Sequence, residues 1–572
     1  MLTQQETSHS GSERCLAAKA RLGCAEPRLR LLRAFIAHAV TRVFARSTSW
    51  RAGEHAVVLL LAIGLSGGAS VLAQPRLAPD QIRAKLAESG ILLQSNTNGI
   101  AARATRALDD EGLSTVGPLL AALGDVRALN LSGTAVASLA PLEGLSALQS
   151  LDLSGTQVVD LKPLAGLAAL QSLDVSGTDV ASLEPLERLT GLQSLDLSGT
   201  DVADVGPLKR LTSLQTLSLS GTRVVSLEQL TFLGALQSLD LAGTQVADFE
   251  ALAKLTSVQS LNLSGTDIAS LEPLRALTAL QSLDITQTRV TDLEPLAGLR
   301  ALESLNLALT KVASLAPLKG LPALRSLGLS GTQVAGLEQI KGLTALQKLA
   351  LSGTRVTRLE ELEGLTALQS LDVSGTRVVS LAPLERLSAL ESLNLSLTQI
   401  ADLAPLRGLT ALRSLDLSAT RVASIEPLTR LSALQSLDLA GTQVANLAPL
   451  RGLTALQSLD LGGTRVTSLE QLHGLPALQF LNLSGARVAN LEPLRGFTAL
   501  RSLDLSETEV TTLEPLQGLL ALSMLDISET HVLSLKPLND LPQIQLRHSG
   551  TLAPDMLKRF IQYRKAKRLP YR

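Results

Sequence analysis

The chain has 572 residues, of which 45% are hydrophobic but only 2% aromatic, so its core is expected to be aliphatic. Nine of the 51 Lys and Arg and four of the 52 Asp and Glu lie in residues 1–73; the remainder therefore has a net charge of −6, which argues against nucleic-acid binding. Both cysteines, Cys15 and Cys24, lie in the first 24 residues, which excludes disulfides within the rest of the chain, cysteine–zinc sites and thiol catalysis there.

The first predicted element is an export segment within a leader at residues 1–73. Its apolar run, Ala56–Leu65, follows Arg46 and Arg51 and precedes the small residues SGGASVLAQ. Basic, apolar and small residues in this order predict a signal peptide, here with cleavage after Ala73. An uncleaved membrane anchor is the alternative, although the apolar segment is short for a membrane span. Either way, we expect the protein to be exported: periplasmic or secreted, or anchored in the cytoplasmic membrane with the rest of the chain outside.

Residues 74–125 are predicted to form an N-terminal helical cap. The segment LAPDQIRAKLAES, which starts at Leu77, has a helical pattern with Pro79 near its beginning. A stack of parallel strands has two open edges that invite aggregation, so a cap is expected at each end.

A 22-residue repeat occupies residues 126–546. Leucine recurs at this period from Leu129 to Leu525 without insertion, which gives about 19 units, and the unit from Leu148 reads LQSLDLSGTQVVDLKPLAGLAA. We number each unit from the first leucine of its LxL motif. Alternation at positions 20, 1 and 3 predicts a short strand, Ser-Gly at positions 4 and 5 a turn, and xPLxxLxxL a 3₁₀ turn. About seven aliphatic side chains per unit are expected in the core, and the fixed period predicts a solenoid.

The consensus LxxLxxLxLSGTxVxxLxPLxx resembles the 22-residue leucine-rich repeats of bacterial internalins and of a eukaryotic phosphatase-regulating relative, over residues 126–544. This resemblance implies an α/β repeat solenoid: a leucine-rich repeat arc with a concave parallel β-sheet, short 3₁₀ turns on the convex side and helical caps at both ends. The family usually has Asn at position 6, whereas eighteen units here have Thr and one has Ala486. Because a hydroxyl both donates and accepts, we expect a ladder of Thr side chains in its place.

Residues 547–572 are predicted to form a C-terminal capping helix with a basic tail, after a slip of the repeat register at Leu541. The side chains expected to face the last repeat are Met556, Leu557, Phe560, Ile561 and Tyr563. The expected basic outer face consists of Lys558, Arg559, Arg564, Lys565, Lys567, Arg568 and Arg572. This face is either simply solvated or in contact with an anionic surface.

Side chains at positions 22, 2 and 4 are expected on the concave face, where the resemblance places partner binding. Position 2 is Asn in five units and Asp in eleven, namely Asp152, Asp174, Asp196, Asp240, Asp284, Asp372, Asp416, Asp438, Asp460, Asp504 and Asp526. This column predicts a negative stripe that attracts a basic partner, with Asp416, Asp438 and Asp460 as candidate binding residues. A solvated face copied by repeat duplication is the alternative.

Two groups of departures from the consensus are further candidate partner-binding residues. Glu303, Arg325 and Lys348 lie near the middle of the array, where the acidic column is interrupted, and Phe480, Asn482 and Arg501 lie near its end. Aromatic and Arg side chains are the usual anchors of protein interfaces. Sequence drift is the alternative explanation.

No motif indicates catalysis: histidines are few beyond residue 73, and the recurrent SGT is a turn rather than a phosphate loop. We therefore predict an exported bacterial leucine-rich repeat protein that is a monomer, is not an enzyme, has no cofactor or metal, and binds a macromolecule, most simply a protein with a basic surface, on its acidic concave face. Nucleic acid is not an expected partner, and membrane contact is expected only through the N-terminal anchor. The alternatives are a structural or adhesive envelope spacer without a single partner and an intracellular scaffold like the phosphatase regulators.

Overall fold

The computed structural model describes residues 77–96, 99–105, 108–549 and 552–570. All of them belong to one compact unit, Val57–Arg572. The predicted leader at residues 1–73 and Arg572 lie outside the described residues. Within the described ranges, no helix is both long and apolar enough to cross a membrane.

Three α-helices occur in the described part of the chain, two before the repeats and one after them. They are α1 (Pro79–Glu88), α2 (Asp110–Leu123) and α3 (Pro554–Ala566). Helix α2 begins where the Asp109 carboxylate accepts the backbone N–H of Gly112 at 2.9 Å, and it ends at Gly124, whose φ is 74°. Its boundaries therefore follow from two residues of the sequence, the N-cap Asp109 and the left-handed C-cap Gly124.

A single sheet contains 22 strands within the described residues. In chain order, β1 to β22 are Ile91–Asn96, Gly99–Ala104, Val126–Asn130, Ser150–Asp152, Ser172–Asp174, Ser194–Asp196, Thr216–Ser218, Ser238–Asp240, Ser260–Asn262, Ser282–Asp284, Ser304–Asn306, Ser326–Gly328, Lys348–Ala350, Ser370–Asp372, Ser392–Asn394, Ser414–Asp416, Ser436–Asp438, Ser458–Asp460, Phe480–Asn482, Ser502–Asp504, Met524–Asp526 and Gln545–Arg547.

From β2 to β22 every neighbouring pair of strands is parallel, and within the array each residue pairs with the one 22 positions later, as Leu151 does with Leu173. The last pair is offset by 21, because Leu525 lies opposite Leu546, which agrees with the predicted slip after Leu541. At the front, β1 and β2 form an antiparallel hairpin that the sequence analysis did not predict. The front cap therefore combines helices with two added strands.

The seven aliphatic positions of each unit form the core. In the unit of β4 they are Leu151, Leu153, Val158, Leu161, Leu164, Leu167 and Leu170, none more than 1% exposed. Each such side chain contributes about 1.5–3 kcal/mol on full burial. The predicted aliphatic core is confirmed.

Short 3₁₀ turns follow the strands, and the backbone N–H of Leu164, for example, donates to the Leu161 carbonyl at 2.9 Å. Proline at position 13 is compatible with this turn because no backbone N–H is needed there. The turns are Ala140–Leu142, Lys162–Leu164, Glu184–Leu186, Gly206–Arg210, Glu228–Phe232, Glu250–Lys254, Glu272–Leu274, Glu294–Leu296, Ala316–Gly320, Glu360–Leu362, Ala382–Leu384, Ala404–Gly408, Glu426–Arg430, Ala448–Gly452, Glu470–Leu472, Glu492–Leu494, Glu514–Leu516 and Lys536–Leu538. The predicted solenoid, with a parallel sheet, 3₁₀ turns and terminal helices, is confirmed.

The expected ladder of Thr side chains between repeats is wrong. Each Thr at position 6 is buried and donates its hydroxyl to the position-3 carbonyl of its own turn, as Thr156 does to Leu153 at 2.6 Å. Backbone groups make the bonds between units here; for example, the N–H of Gly155 donates to the carbonyl of Ser176 at 2.7 Å. A hydroxyl has one donor and a short reach, so it closes the local turn and has no second donor for the next repeat.

The C-terminal helix α3 covers the last repeat through Phe560 and Arg564, which lie on one face of the helix at i and i+4. The prediction that Arg564 belongs to the basic outer face is wrong, because its side chain is fully buried. Of the other cations expected on that face, Lys558, Arg559, Lys565, Lys567 and Arg568 are exposed. Met556, Leu557, Ile561 and Tyr563 are half-buried, and the Tyr563 hydroxyl donates to Asp540 at 3.0 Å.

Candidate partner-binding surface

Side chains at positions 22, 2 and 4 lie on one face of the sheet, which we call the sheet face. They are mostly half-buried, whereas positions 1 and 3 between them are buried. The structure places Asp416, Asp438 and Asp460 side by side on β16, β17 and β18, in direct register. Consecutive strands are spaced by about 4.8 Å, so these carboxylates form a continuous row.

The carboxylates of this row also have a local structural role. The Oδ1 atom of Asp416 accepts the backbone N–H of Ser418 at 2.9 Å and the Ser418 hydroxyl at 2.7 Å. Asn at the same position accepts the same backbone bond, as Asn394 does from Ser396 at 2.9 Å. Asp or Asn at position 2 thus caps the turn that follows most strands of the array, a role that was not predicted from the sequence although the spacing is typical of an Asx turn.

Burial and neighbouring charge both act on the ionisation of the acidic column. Burial raises the pKa of Asp372, hydrogen bonding from Ser374 lowers it, and the carboxylate of Asp416 raises it further. Burial also raises the pKa of Asp174, and the carboxylates of Asp196 and Asp152 raise it further. Ionisation of Asp372 and Asp174 is therefore unfavourable for the fold.

Some of the asparagines in the column donate to a neighbouring carboxylate and so relieve this repulsion. The Nδ2 group of Asn482 donates to both carboxylate oxygens of Asp460 at 3.0 Å, and that of Asn306 donates to Asp284 at 3.0 Å. Asn482, a candidate binding residue, thus continues the row of Asp416, Asp438 and Asp460 onto β19. Its amide is already engaged with the protein.

The candidate residues in the middle of the array are partly neutralised by one another. Arg325 and Glu303 form an ion pair at 3.2 Å between neighbouring units, and both are about half exposed. Lys348 on β13 lies opposite Ser326 on β12, one strand further along. The acidic column is interrupted at Gly328, where an added Cβ would lie 2.5 Å from the Asn306 side-chain oxygen.

The candidate residues near the end of the array lie together on neighbouring strands. Phe480 on β19 pairs with Ser502 on β20, which directly follows Arg501, and Ser502 pairs in turn with Met524 on β21. Phe480 and Met524 are both exposed. Met524 is not among the candidates predicted from the sequence, although it replaces a serine of the same column as Phe480 does. Six strand spacings, about 29 Å, separate β13 from β19, so the two groups of candidates do not form one site.

Arginines that follow the turn contact acidic residues of the same column in the preceding unit. Arg223 pairs with Asp201 and Arg289 with Asp267, each at 2.7 Å. In the parts of the chain that the structure describes, no group of three or more His, Cys, Asp or Glu is arranged to hold a metal ion.

Family models match several stretches of the repeats. The model described as "Leucine Rich repeats (2 copies)" matches residues 256–298, 388–430 and 454–496, and the model described as "Leucine rich repeat" matches residues 212–268. The chain is a leucine-rich repeat protein. Residues 280–376 of this leucine-rich repeat protein also match a model described as the LRR domain of the endo-beta-N-acetylglucosaminidase EndoS. A comparison with curated proteins gave no match.

Several solved structures are similar to this chain. The mouse RP105/MD-1 complex is similar at 21% identity and a TM-score of 0.56, covering 80% of this chain and 81% of that chain. A Leptospira interrogans leucine-rich repeat protein matches at 22% identity and a TM-score of 0.48, covering 70% of this chain and 96% of that one. An internalin from Listeria monocytogenes matches at 24% identity and a TM-score of 0.38, covering 57% and 84% respectively. The likeness to the RP105/MD-1 complex, at this identity, shows the fold alone.

Proposed function

We propose that this leucine-rich repeat protein is a non-enzymatic binding protein that recognises a protein partner on its sheet face. The observation that carries the proposal is the continuous sheet face itself, where half-buried polar side chains stand in register from strand to strand over an unbroken parallel sheet. Such a surface offers many side chains to a macromolecule. RP105, which has a similar fold, was solved in complex with MD-1, which is consistent with a protein partner.

The partner's contacting surface is proposed to be basic. Asp416, Asp438 and Asp460 place three adjacent negative charges on the sheet face, and exposed charges act mainly on the rate of association. The interaction is therefore expected to weaken with salt, since charges at physiological ionic strength are screened over about 8–10 Å.

The test replaces Asp416, Asp438 and Asp460 by Asn in the full chain and measures association with a partner isolated by affinity capture. Because Asn394 makes the same turn-capping bond, the triple variant should fold normally. At low salt its association should be slower by about fivefold, with little change in dissociation. A matched control replaces Glu184, Glu228 and Glu294, on the 3₁₀ turns, by Gln. Equal kinetics for the two triple variants would contradict the proposal.

We further propose that the protein is exported and acts as a monomer, with the chain divided into a leader at 1–73, a front cap at 74–125, a repeat array at 126–546 and a rear cap at 547–572. The order of basic, apolar and small residues up to Ala73 supports export. Mass spectrometry of cell fractions should find either a mature chain beginning at Gln74 or a membrane-bound protein. Soluble cytosolic protein that retains Met1–Arg51 would overturn export.

A further inference from the structure

Two exposed apolar side chains stand out on the strands of the repeat array. Among the described residues of β3 to β22, the large apolar side chains that are exposed are Phe480, at 49%, and Met524, at 40%. Both occupy position 22, which is Ser in most units. Interface hot spots are enriched in aromatic residues, and Met is common on binding surfaces because it adapts its shape.

Phe480 and Met524 flank a gap on the sheet face. They lie in one row on β19 and β21, and the strand between them presents only Ser502 in that row. Two strand spacings separate their backbones by about 9.6 Å. Apolar atoms make contact at about 4.0–4.5 Å, so one aliphatic side chain fits between the two and touches both.

Four carboxylates lie on the C-terminal side of this gap, further along the strands and in the turns that follow them. Asp504 and Asp526 are two residues further along β20 and β21, and Glu507 and Glu529 follow in the turns. Asp504 accepts the backbone N–H of Ser506 at 2.8 Å, and Glu529 accepts the Ser549 hydroxyl at 2.7 Å. None of the four forms an ion pair within the described residues, but the exposed Arg547 lies opposite Asp526 on β22. Asp504, Glu507 and Glu529 are therefore the carboxylates that a cationic partner would meet.

Glu507 and Glu529 also occupy a backbone conformation that disfavours them. Their φ angles are 59° and 53°, in the left-handed region where thirteen of the nineteen units have glycine. Two consecutive repeats therefore keep a charged side chain where glycine would remove strain.

We propose that Phe480, Met524, Asp504, Glu507 and Glu529 form a subsite that receives an apolar side chain of a protein segment with Lys or Arg beside it. This inference rests on the proposed function, of which it specifies the partner's contacting segment. The apolar side chain lies between Phe480 and Met524 above Ser502. Its basic neighbours point toward the carboxylates, away from Arg501 at the start of β20.

The probe is a labelled, end-capped nonapeptide with Leu-Lys-Arg at its centre in a Gly-Ser frame, titrated with the full chain by fluorescence anisotropy. Matched peptides carry Ser-Lys-Arg or Leu-Glu-Glu at the centre. Each matched peptide should bind about tenfold more weakly than Leu-Lys-Arg, because it lacks either the apolar anchor or the basic pair. Absence of measurable Leu-Lys-Arg binding, or equal binding of all three peptides, would overturn the subsite.

Reversion of each apolar residue to the consensus serine tests the anchors. Phe480→Ser and Met524→Ser should each weaken Leu-Lys-Arg binding by about tenfold. Thr216→Ser makes the same reversion at an exposed position 22 on β7 and should leave binding unchanged. Equal binding by the Phe480, Met524 and Thr216 variants would refute the anchors.

Peptide binding and thermal unfolding, measured on variants of Glu507 and Glu529, distinguish a binding role from a purely structural one. Replacing both Glu507 and Glu529 by Gly should weaken peptide binding and, in the same protein, raise the midpoint of thermal unfolding. Gln287→Gly relieves the same strain elsewhere, with φ of 58°, and should raise the midpoint without changing binding. Unchanged peptide binding in the double variant would overturn the acidic rim. The peptide tests could fail while the Asp416, Asp438 and Asp460 triple variant still lowers the association rate of the captured partner. That result would support the proposed function and contradict this subsite.

Discussion

Position 5 of the repeat has a left-handed backbone in all nineteen units, whatever residue occupies it. Thirteen are Gly, and the other six are Gln287, Leu309, Leu397, Ala419, Glu507 and Glu529, with φ between 53° and 59°. Bonding between repeats fixes this conformation; the backbone N–H of Leu309, for example, donates to the Ser330 carbonyl at 2.7 Å. Because that bond repeats from unit to unit, a non-glycine residue is held in the strained conformation by its neighbours.

Leu309→Gly should therefore stabilise the protein. Relief of left-handed strain exceeds the added entropy of glycine in the unfolded chain, and the net gain should be about 0.5–1 kcal/mol. The substitution also removes an apolar side chain that is 52% exposed. The urea midpoint of the full chain is the measurement, and Gly375→Ala, at φ of 64°, is the opposite control and should lower it. A midpoint for the Leu309 variant at or below that of the unmodified chain would contradict this reasoning.

A second residue-scale prediction concerns Asp372, whose pKa is raised mainly by burial. Between the usual Asp pKa and the raised one, the folded state binds more protons than the unfolded state, so this group's contribution to stability falls as pH rises through that window. Asp372→Asn keeps an acceptor for the backbone N–H of Ser374, which now donates at 2.9 Å, and removes the buried charge.

The Asp372→Asn variant should accordingly be more stable than the unmodified chain at neutral pH. The difference should vanish at about pH 3, below the usual Asp pKa, where the carboxyl is protonated in both states. The measurement is the urea midpoint of the variant and of the unmodified chain at several pH values between neutral and about pH 3. A gain that grows toward low pH would show that the sign is wrong.

At the scale of elements, the rear cap depends on one buried guanidinium. Arg564 is fully buried and donates to backbone carbonyls of Leu538, Asn539, Leu541, Pro542 and Pro570, with its shortest bonds, to Pro570 and Leu541, at 2.6 and 2.8 Å. The Phe560 ring centroid lies 5.6 Å from its central carbon. Burial lowers the pKa of Arg564, but arginine stays protonated in proteins, so these bonds are charge-assisted.

Arg564→Leu should loosen helix α3 from the last repeat. Several buried carbonyls would lose their donor, which costs about 1–3 kcal/mol for each group left unsatisfied. We expect faster hydrogen exchange and protease cleavage confined to α3 and β22. Lys565→Leu, at the exposed neighbouring position, is the control and should leave both rates unchanged. Loss of protection spread evenly over the whole array would indicate that Arg564 does not act through the cap.

At the scale of the whole molecule, each repeat contacts its immediate neighbours through the sheet ladder and the adjoining turns. The pairing offset is 22 residues from β3 to β21 and becomes 21 only at β22. Stability in such arrays is approximately a sum of repeat and nearest-neighbour contributions. Removal of one whole unit should therefore bring the two flanking repeats into contact through surfaces equivalent to those they use now.

Deletion of residues 437–458 removes one complete unit and joins Ser436 to Leu459, which keeps positions 22 and 1 in order. The shortened chain should remain folded, with a normal circular dichroism spectrum per residue and only a modest fall in urea midpoint. Deletion of residues 437–447 removes half a unit and should abolish cooperative unfolding, because the aliphatic positions no longer align. Comparable melting of the two deletions would contradict the nearest-neighbour description.

The sequence by itself determined the repeat unit and its core. Leucine at a 22-residue period specified the strand, the seven buried positions and the slip near Leu541, because each position meets the same neighbours in every unit. It also located the acidic column on the sheet face, since residues that alternate with buried leucines must point outward.

Only the tertiary structure decided which polar groups meet. Arg564 looks like a surface cation in sequence, but its partners begin 26 residues earlier, at Leu538. The row formed by Phe480, Ser502 and Met524 likewise depends on lateral pairing of three strands. Periodicity fixes which side of the chain a residue faces, whereas hydrogen bonds and side-chain contacts depend on distances between atoms of different units, and those distances exist only once the units are stacked.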